Sequence, residues 1–257
     1  MYPFGSALVT GASSGIGEAI VVELARAGVH TVVVARRAER LERLAEQHPG
    51  MIEVLAADLT TPAGQQSVVD RIAETGRPID LVVNNAGFGT NGMFHTIDVD
   101  RLAEEIELNV AALTRLSHAA LAAMLPRRRG WLLNVSSVAS FQPAPQLAVY
   151  AATKAYVTSL TESLHEEARS SGVHVSALCP GLTKTEFQRV SNTQRYADQF
   201  PGFMWTSPQM VARTGLRAVV ANKTLAIPGA LYKAIAGATN AIPRGVARRI
   251  SSLVQRN

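Results

Sequence analysis

The chain has 257 residues, 47% hydrophobic and 18% charged, a balance that fits one globular α/β domain and excludes a disordered or low-complexity protein. A single cysteine, Cys179, excludes an internal disulfide framework and points to a reducing, cytoplasmic setting, with Cys179 itself read as a small buried hydrophobe. The net charge of +5 belongs to the last stretch: residues 223–257 carry Lys223, Lys233, Arg244, Arg248, Arg249 and Arg256 and no acid, which leaves residues 1–222 at −1. Neither a basic leader nor an uninterrupted apolar run of about 18 residues is present, so secretion and a membrane span are not expected.

Apolar runs alternate with helical periodicity along the chain. Strands are expected at residues 7–10, 31–35, 52–56, 79–83, 131–135 and 173–178, with a weaker one at 224–227. Helices are expected at 15–27, 39–47, 65–74, 101–124 and 151–171; the first repeats Ile16, Ala19, Ile20, Leu24 and Ala27 on one face. Alternating strands and helices imply a single α/β domain: a Rossmann-like, doubly wound parallel sheet of about seven strands with helices on both faces. Residues 183–206 interrupt the alternation with a polar stretch followed by Phe203, Met204 and Trp205. That segment reads as a lid over a ligand, with a surface excursion packed on the core as the alternative.

Between the first strand and the first helix lies Thr10-Gly11-Ala12-Ser13-Ser14-Gly15-Ile16-Gly17. Gly11 permits a tight turn, Gly15 admits a bulky anion to the backbone, and Gly17 lets helix and strand approach. The free N–H groups and the helix dipole then suit the pyrophosphate of a dinucleotide. The second strand runs into Arg36-Arg37 in place of an acid; two guanidiniums suit a 2′-phosphate, so NADP(H) is expected ahead of NAD(H). Further on, Tyr150 and Lys154 lie four residues apart, and Lys154 is the first of only four lysines against twenty-one arginines. One helical turn separates them, so an ammonium can sit near a phenol, favour its charged form and make it a proton donor and acceptor.

Together these residues resemble the short-chain dehydrogenase/reductase family. The glycine turn, Asp58-Leu59, Asn84-Asn85-Ala86-Gly87, Asn109, Ser136-Ser137, Tyr150 to Lys154 and Pro180-Gly181-Leu182-Thr183 follow in the family's order and spacing, over residues 5 to about 228. The resemblance implies that Tyr150 passes a proton to or from the substrate oxygen, that Lys154 depresses the phenol and bonds the nicotinamide ribose, and that Ser137 polarises the carbonyl, with Ser136 as the fallback. It implies that Asn109 holds a water linking Lys154 to solvent. Asp58 and Leu59 would contact adenine, while Asn85, Ala86, Gly87, Pro180 and Gly181 would line the cofactor. Thr183 would bond the carboxamide.

The expected reaction is hydride transfer between NADP(H) and a carbonyl or secondary alcohol. An NAD(H)-dependent member of the same family, or a non-catalytic dinucleotide sensor, is the alternative. Phe88, Met93, Phe94, Phe141, Phe187, Phe203, Met204 and Trp205 point to a hydrophobic acyl-chain or ring substrate if they converge. The six histidines show no metal-ligand pairing; His95 reads as a solvated loop residue. Residues 1–228 form the expected catalytic domain, and residues 229–257 form a basic amphipathic extension divided by Pro243. The extension is expected to dock on the body or a second subunit, with contact to an anionic membrane surface as the alternative. A homodimer or homotetramer is expected, and nucleic acid is not expected as a partner.

Overall fold

The computed structural model describes residues 2–194 and 200–241. Seven parallel strands form one sheet in the order β3-β2-β1-β4-β5-β6-β7. They are β1 (Ser6–Thr10), β2 (His30–Ala35), β3 (Ile52–Ala56), β4 (Leu81–Asn84), β5 (Gly130–Val135), β6 (Val173–Leu178) and β7 (Leu225–Ala226). The expected seventh strand shortens to two residues at the edge of the sheet, where it pairs with β6 alone.

The side-chain alternation of the strands separates two cores. Val9, Val33, Leu81, Val83 and Leu133 face one way, under α1 (Gly15–Arg26) and α8 (Pro208–Val220), whose Ile20, Leu24, Val211 and Leu216 are wholly buried. Leu8, Val32, Val34, Val82 and Leu132 face the other way, under α3 (Pro62–Ala73) and α5 (Leu113–Met124), with Val68, Leu116 and Ala120. Both faces are covered, so the strand interiors are dominated by apolar residues. The remaining helices are α2 (Ala38–Gln47), α4 (Val99–Ile106), α6 (Ala148–Ala168), the short α7 (Phe187–Val190) and α9 (Ala230–Ala241).

Three features depart from the sequence reading. Helix α8 was not foreseen, although Ser207-Pro208 signals it: the Ser207 hydroxyl caps Met210 N at 3.2 Å and Pro208 sits in the first turn. The expected helix at 65–74 begins earlier, at Pro62, where Thr61 caps Gly64 N at 3.1 Å. The long helix expected at 101–124 is three pieces, α4 and α5 joined by a π-helical turn, Glu107–Ala112. That turn carries Asn109, and π turns tend to occur where a side chain must be aimed.

Strand order reverses between β1 and β4, so a crevice opens beyond their C-terminal ends. The glycine turn after β1 and the Asn84–Gly87 segment after β4 meet there.

Candidate active site

The glycine turn is locked to the β4 loop. Thr10 Oγ1 accepts from Asn85 N (2.9 Å) and Ala86 N (3.0 Å), while Asn85 Nδ2 donates to Thr10 O at 2.8 Å. Gly11 has φ of 64°, and a Cβ there would meet Asn85 and Ala86 at 2.8–2.9 Å. Gly15, at φ of 62°, faces Thr185 at 3.0 Å, and a Cβ on Gly17 would lie 2.3 Å from Gly11 O. Ser14 precedes α1 with an extended backbone and no side-chain cap, which leaves the helix's first N–H groups facing the crevice beside Ile16.

At the far end, Asp58 Oδ1 accepts from Thr60 N (3.0 Å) and its hydroxyl (2.7 Å). Burial pushes this acid up, but the two Thr60 bonds and the Arg36 charge leave it below its ordinary value. Leu59 is buried beside it. Arg36 lines the crevice and makes no side-chain hydrogen bond among the described residues. Arg37 is engaged: it donates to Ser13 Oγ (2.9 and 3.2 Å), Ser14 Oγ (3.1 Å) and Glu186 (3.0 Å). Arg40 grips the same carboxylate at 2.9 and 3.1 Å. These bonds, Arg40 first and then Arg37, hold Glu186 at about 2, so the clasp is fully charged above the ordinary carboxyl range of about 4. No local sequence signal marked Glu186, which lies 149 residues from Arg37.

The candidate reactive residues meet in the same crevice. Tyr150 and Lys154 lie one turn apart on α6, and the Lys154 Nζ is 5.8 Å from the phenol ring centroid. The lysine is 4% exposed and donates to Val135 O at 2.9 Å. Its pKa is lowered to about 8 by burial, against the upward pull of Cys179 and Glu105. The phenol goes the opposite way from the sequence expectation. Burial raises Tyr150 to about 12, opposed by a hydrogen bond from Ser137 and reinforced by Glu105 and Cys179. Desolvation of the phenolate outweighs an ammonium that sits beneath the ring and spends a proton on Val135. Cys179 is fully buried, and burial lifts its thiol to about 12.

The two serines separate. Ser136 is buried, donates to Lys154 O at 2.8 Å and shares a bond with Thr158 at 2.7 Å, so it fastens α6 to β5. Ser137 faces Tyr150 and caps Ala139 N at 3.1 Å. Ser137→Ala is expected to slow turnover about 10²-fold, an effect far larger than the small loss of stability from removing its cap on Ala139. Ser136→Ala is expected to cost about 1–3 kcal/mol of stability, with the smaller kinetic effect. Paired melting and rate measurements check both.

Other assignments shift in detail. The Asn109 side chain is fully used: Oδ1 accepts from Phe88 N (3.1 Å), and Nδ2 donates to Phe88 O (2.7 Å) and Thr153 Oγ1 (3.1 Å). Gly87 fits between Asn109 and Lys154, with a Cβ there 2.8 Å from Asn109 Oδ1 and 3.5 Å from Nζ. Thr183 turns its hydroxyl to Gly181 O (3.0 Å) and Thr206 Oγ1 (3.1 Å), while Thr185 faces the glycine turn. Pro180 and Gly181 line the cavity.

The cavity holds about 640 Å³ and runs from Arg36 to Tyr150 and Phe187. Of the expected apolar set, Phe88, Phe141, Phe187 and Met204 line it; Met93, Phe94 and Phe203 are 57%, 63% and 78% exposed, and Trp205 lines a neighbouring cleft. The sequence reading missed Tyr232, assigned to the extension. Its ring packs on Gly181, where a Cβ would lie 2.1 Å away, and its hydroxyl accepts from Leu182 N (3.0 Å) and donates to Met204 O (2.9 Å). Helix α9 therefore docks on the body and lines the site. The tail beyond residue 241, with Pro243 and its four arginines, and residues 195–199 of the expected lid lie outside the described residues. Among the described residues no helix is long and apolar enough to cross a membrane, and no group of three metal-ligating side chains forms. His95 is exposed and does not line the cavity.

Comparison with known proteins agrees with this geometry. A family model described as short chain dehydrogenase matches residues 6–196. An uncharacterized oxidoreductase of Staphylococcus epidermidis is 35% identical over 70% of this chain and 78% of its own length. A short-chain dehydrogenase from Sphingobium yanoikuyae, solved in complex with NADPH, superposes with a TM-score of 0.82 at 32% identity, covering 93% of this chain and 94% of that one. The bulky-bulky ketone specific alcohol dehydrogenase from Comamonas testosteroni gives 0.77 at 30% identity, covering 94% and 96%. Other similar structures hold NADP or NADH. The parallel sheet, the glycine turn at its switch point and the matched sequence lead to one assignment: the chain is an oxidoreductase of the short-chain dehydrogenase/reductase family.

Proposed function

We propose that this protein transfers hydride between NADP(H) and a carbonyl or secondary alcohol on a hydrophobic acyl-chain or ring substrate. One observation carries the reading: Ser137, Tyr150 and Lys154 stand at the middle of a single cavity that continues to the glycine turn and Arg36. The residues present fit a dinucleotide, because any Cβ at Gly11 or Gly15 would narrow the cradle that Ser13, Ser14 and Ile16 border. Asp58 and Leu59 would hold the adenine, and Asn85, Ala86, Gly87, Pro180, Gly181 and Thr183 would line the rest of the cofactor; all of them border the one cavity. When bound, the cofactor supplies or takes the hydride. Ser137 donates to the substrate oxygen, and Tyr150 gives that oxygen a proton in reduction or removes one in oxidation. Lys154 answers the charge left on the phenolate, and Asn109 holds the Phe88 peptide that walls the site.

The hydrophobic substrate is supported by Phe88, Phe141, Leu147, Phe187, Val190 and Met204 around the reactive end. The ketone-specific relative points the same way. NADPH consumption over a panel of acyl and cyclic ketones, with Tyr150→Phe as control, tests the proposal; no Tyr150-dependent turnover on any ketone would refute it.

NAD(H) use is the second reading, and the Arg37–Glu186 pair is what favours it, since a carboxylate already occupies that guanidinium. Glu186→Gln separates the two. Under the NADP(H) reading it frees Arg37 and Arg40, and NADPH binding is expected to tighten by about three- to tenfold with NADH unchanged. Titration of both cofactors reads the difference. We further propose a cytoplasmic homodimer or homotetramer, with Ile106 and Tyr156 exposed on the long helices as the apolar faces that would be covered.

A further inference from the structure

Among the described residues, the charged side chains that border the cavity are Arg36, Arg37, Asp58, Arg101, Lys154 and Glu186. Arg36, Arg37 and Asp58 follow β2 and β3, and Glu186 is clasped to Arg37 beside the glycine turn. Lys154 is buried and donates to Val135 O. Arg101, on α4, stands apart from these. It lies among Phe88, Phe187 and Val190, which belong to the apolar part of the cavity. A cation set into an apolar wall is a device for selecting a charged ligand.

Two short spans connect Arg101 to Tyr150. The first is Phe88-Gly89. The Arg101 guanidinium lies 3.8 Å from the Phe88 ring centroid, and a Cβ on Gly89 would lie 2.9 Å from the Tyr150 ring. The second is α7. Arg101 donates to Val190 O at 3.3 Å, and the Phe187 ring centroid lies 5.4 Å from that of Tyr150. The spans are pinned to each other, because Gly89 N donates to Ser191 Oγ at 2.9 Å. Asn109 in turn holds the Phe88 peptide at 2.7 and 3.1 Å. The guanidinium therefore rests on a braced ring whose neighbour touches the phenol.

A guanidinium stacked on an aromatic face keeps its N–H groups at its edge, where a planar carboxylate can accept two of them. Among the described residues the acid within ion-pair range of Arg101 is Glu104, at 3.5 Å and 59% exposed. A long, exposed pair of this kind contributes little, so Glu104 gives way to a ligand. We propose that Arg101 is a specificity-determining residue that binds the carboxylate of an apolar keto acid, or of the matching hydroxy acid, while the carbonyl or hydroxyl end meets Ser137 and Tyr150. Arg101 makes and breaks no bond; its contribution is to bind and orient the substrate. The inference rests on the oxidoreductase reading and narrows its hydrophobic substrate to one with an anionic end.

The test takes the full chain with NADPH and a homologous series of keto acids, each paired with its primary amide. At the best chain length the wild type should prefer the acid in kcat/KM by about tenfold, chiefly through KM. Arg101→Gln should bring the acid-to-amide ratio to about one, and Arg101→Lys should keep part of the preference. A purely structural Arg101 would slow acid and amide together and leave the ratio as it was, which overturns the proposal. A wild type without acid preference overturns it even if Arg101→Gln does not fold. So does a preference for the phosphate ester of the matching hydroxy ketone over the acid. Calorimetric binding of a saturated medium-chain carboxylate needs no turnover and should weaken about tenfold in Arg101→Gln; equal binding overturns the proposal. Failure of the oxidoreductase reading shows separately, as absence of Tyr150-dependent turnover on acid and amide alike.

Discussion

Replacing Tyr150 by phenylalanine is expected to lower kcat by about 10³-fold while NADPH binding and the melting temperature change little. The substitution removes one oxygen and keeps the ring, which contacts Phe187 at 5.4 Å between centroids and Gly89 at its edge. What goes is the proton that must reach the substrate oxygen as the carbonyl carbon is attacked. Burial holds that phenol at about 12, so it is protonated throughout the physiological range and poised as a donor in reduction. Residual rate in the variant should come from Ser137 alone and should not depend on pH through the phenol. Stopped-flow NADPH oxidation checks this; a variant with more than about a tenth of the wild-type rate would remove Tyr150 from the chemistry.

The second large effect concerns the arginines. Converting Arg36 and Arg37 together to alanine is expected to weaken NADPH binding by about 10²-fold, and NADH binding by far less. The two positions contribute differently. Arg37 also braces Ser13, Ser14 and Glu186, so its loss loosens the glycine turn for either cofactor. Arg36 makes no such bonds among the described residues, so Arg36→Ala alone isolates the interaction with a 2′-phosphate. Calorimetric titration of each variant with each cofactor separates the contributions. Equal losses for the two cofactors would defeat the assignment of the arginines to a phosphate.

Much of the architecture was legible because it is written locally. All seven strands were expected within two residues of their bounds, since most are apolar runs buried on both faces between helical repeats. The glycine turn could be read because only glycine tolerates the φ of 64° at Gly11 and the 2.3 Å approach at Gly17. The Tyr150–Lys154 spacing placed both on one face of α6. Helix α8 was missed because its Ser207-Pro208 start follows an irregular polar stretch with no period of its own.

Spacing also predicted the neighbours of a residue better than its state. Tyr150 and Lys154 are near one another as expected, yet the phenol rises because burial is decided by everything around it. The eight apolar residues of the proposed pocket divided, four into the cavity and four elsewhere, because sequence does not say which loop tips fold inward.

From the order of residues alone come the alternating α/β design, the glycine turn and the one-turn spacing of Tyr150 and Lys154, because each depends on backbone conformations and repeats within a few neighbours. Tertiary structure alone decides that Glu186 closes on Arg37 from 149 positions away and that Tyr232 returns to wall the site. It also decides that Glu105 is left dry beside α6. Charge state and partnership depend on solvent exclusion and on groups brought together through space, and folding sets both only when distant segments meet.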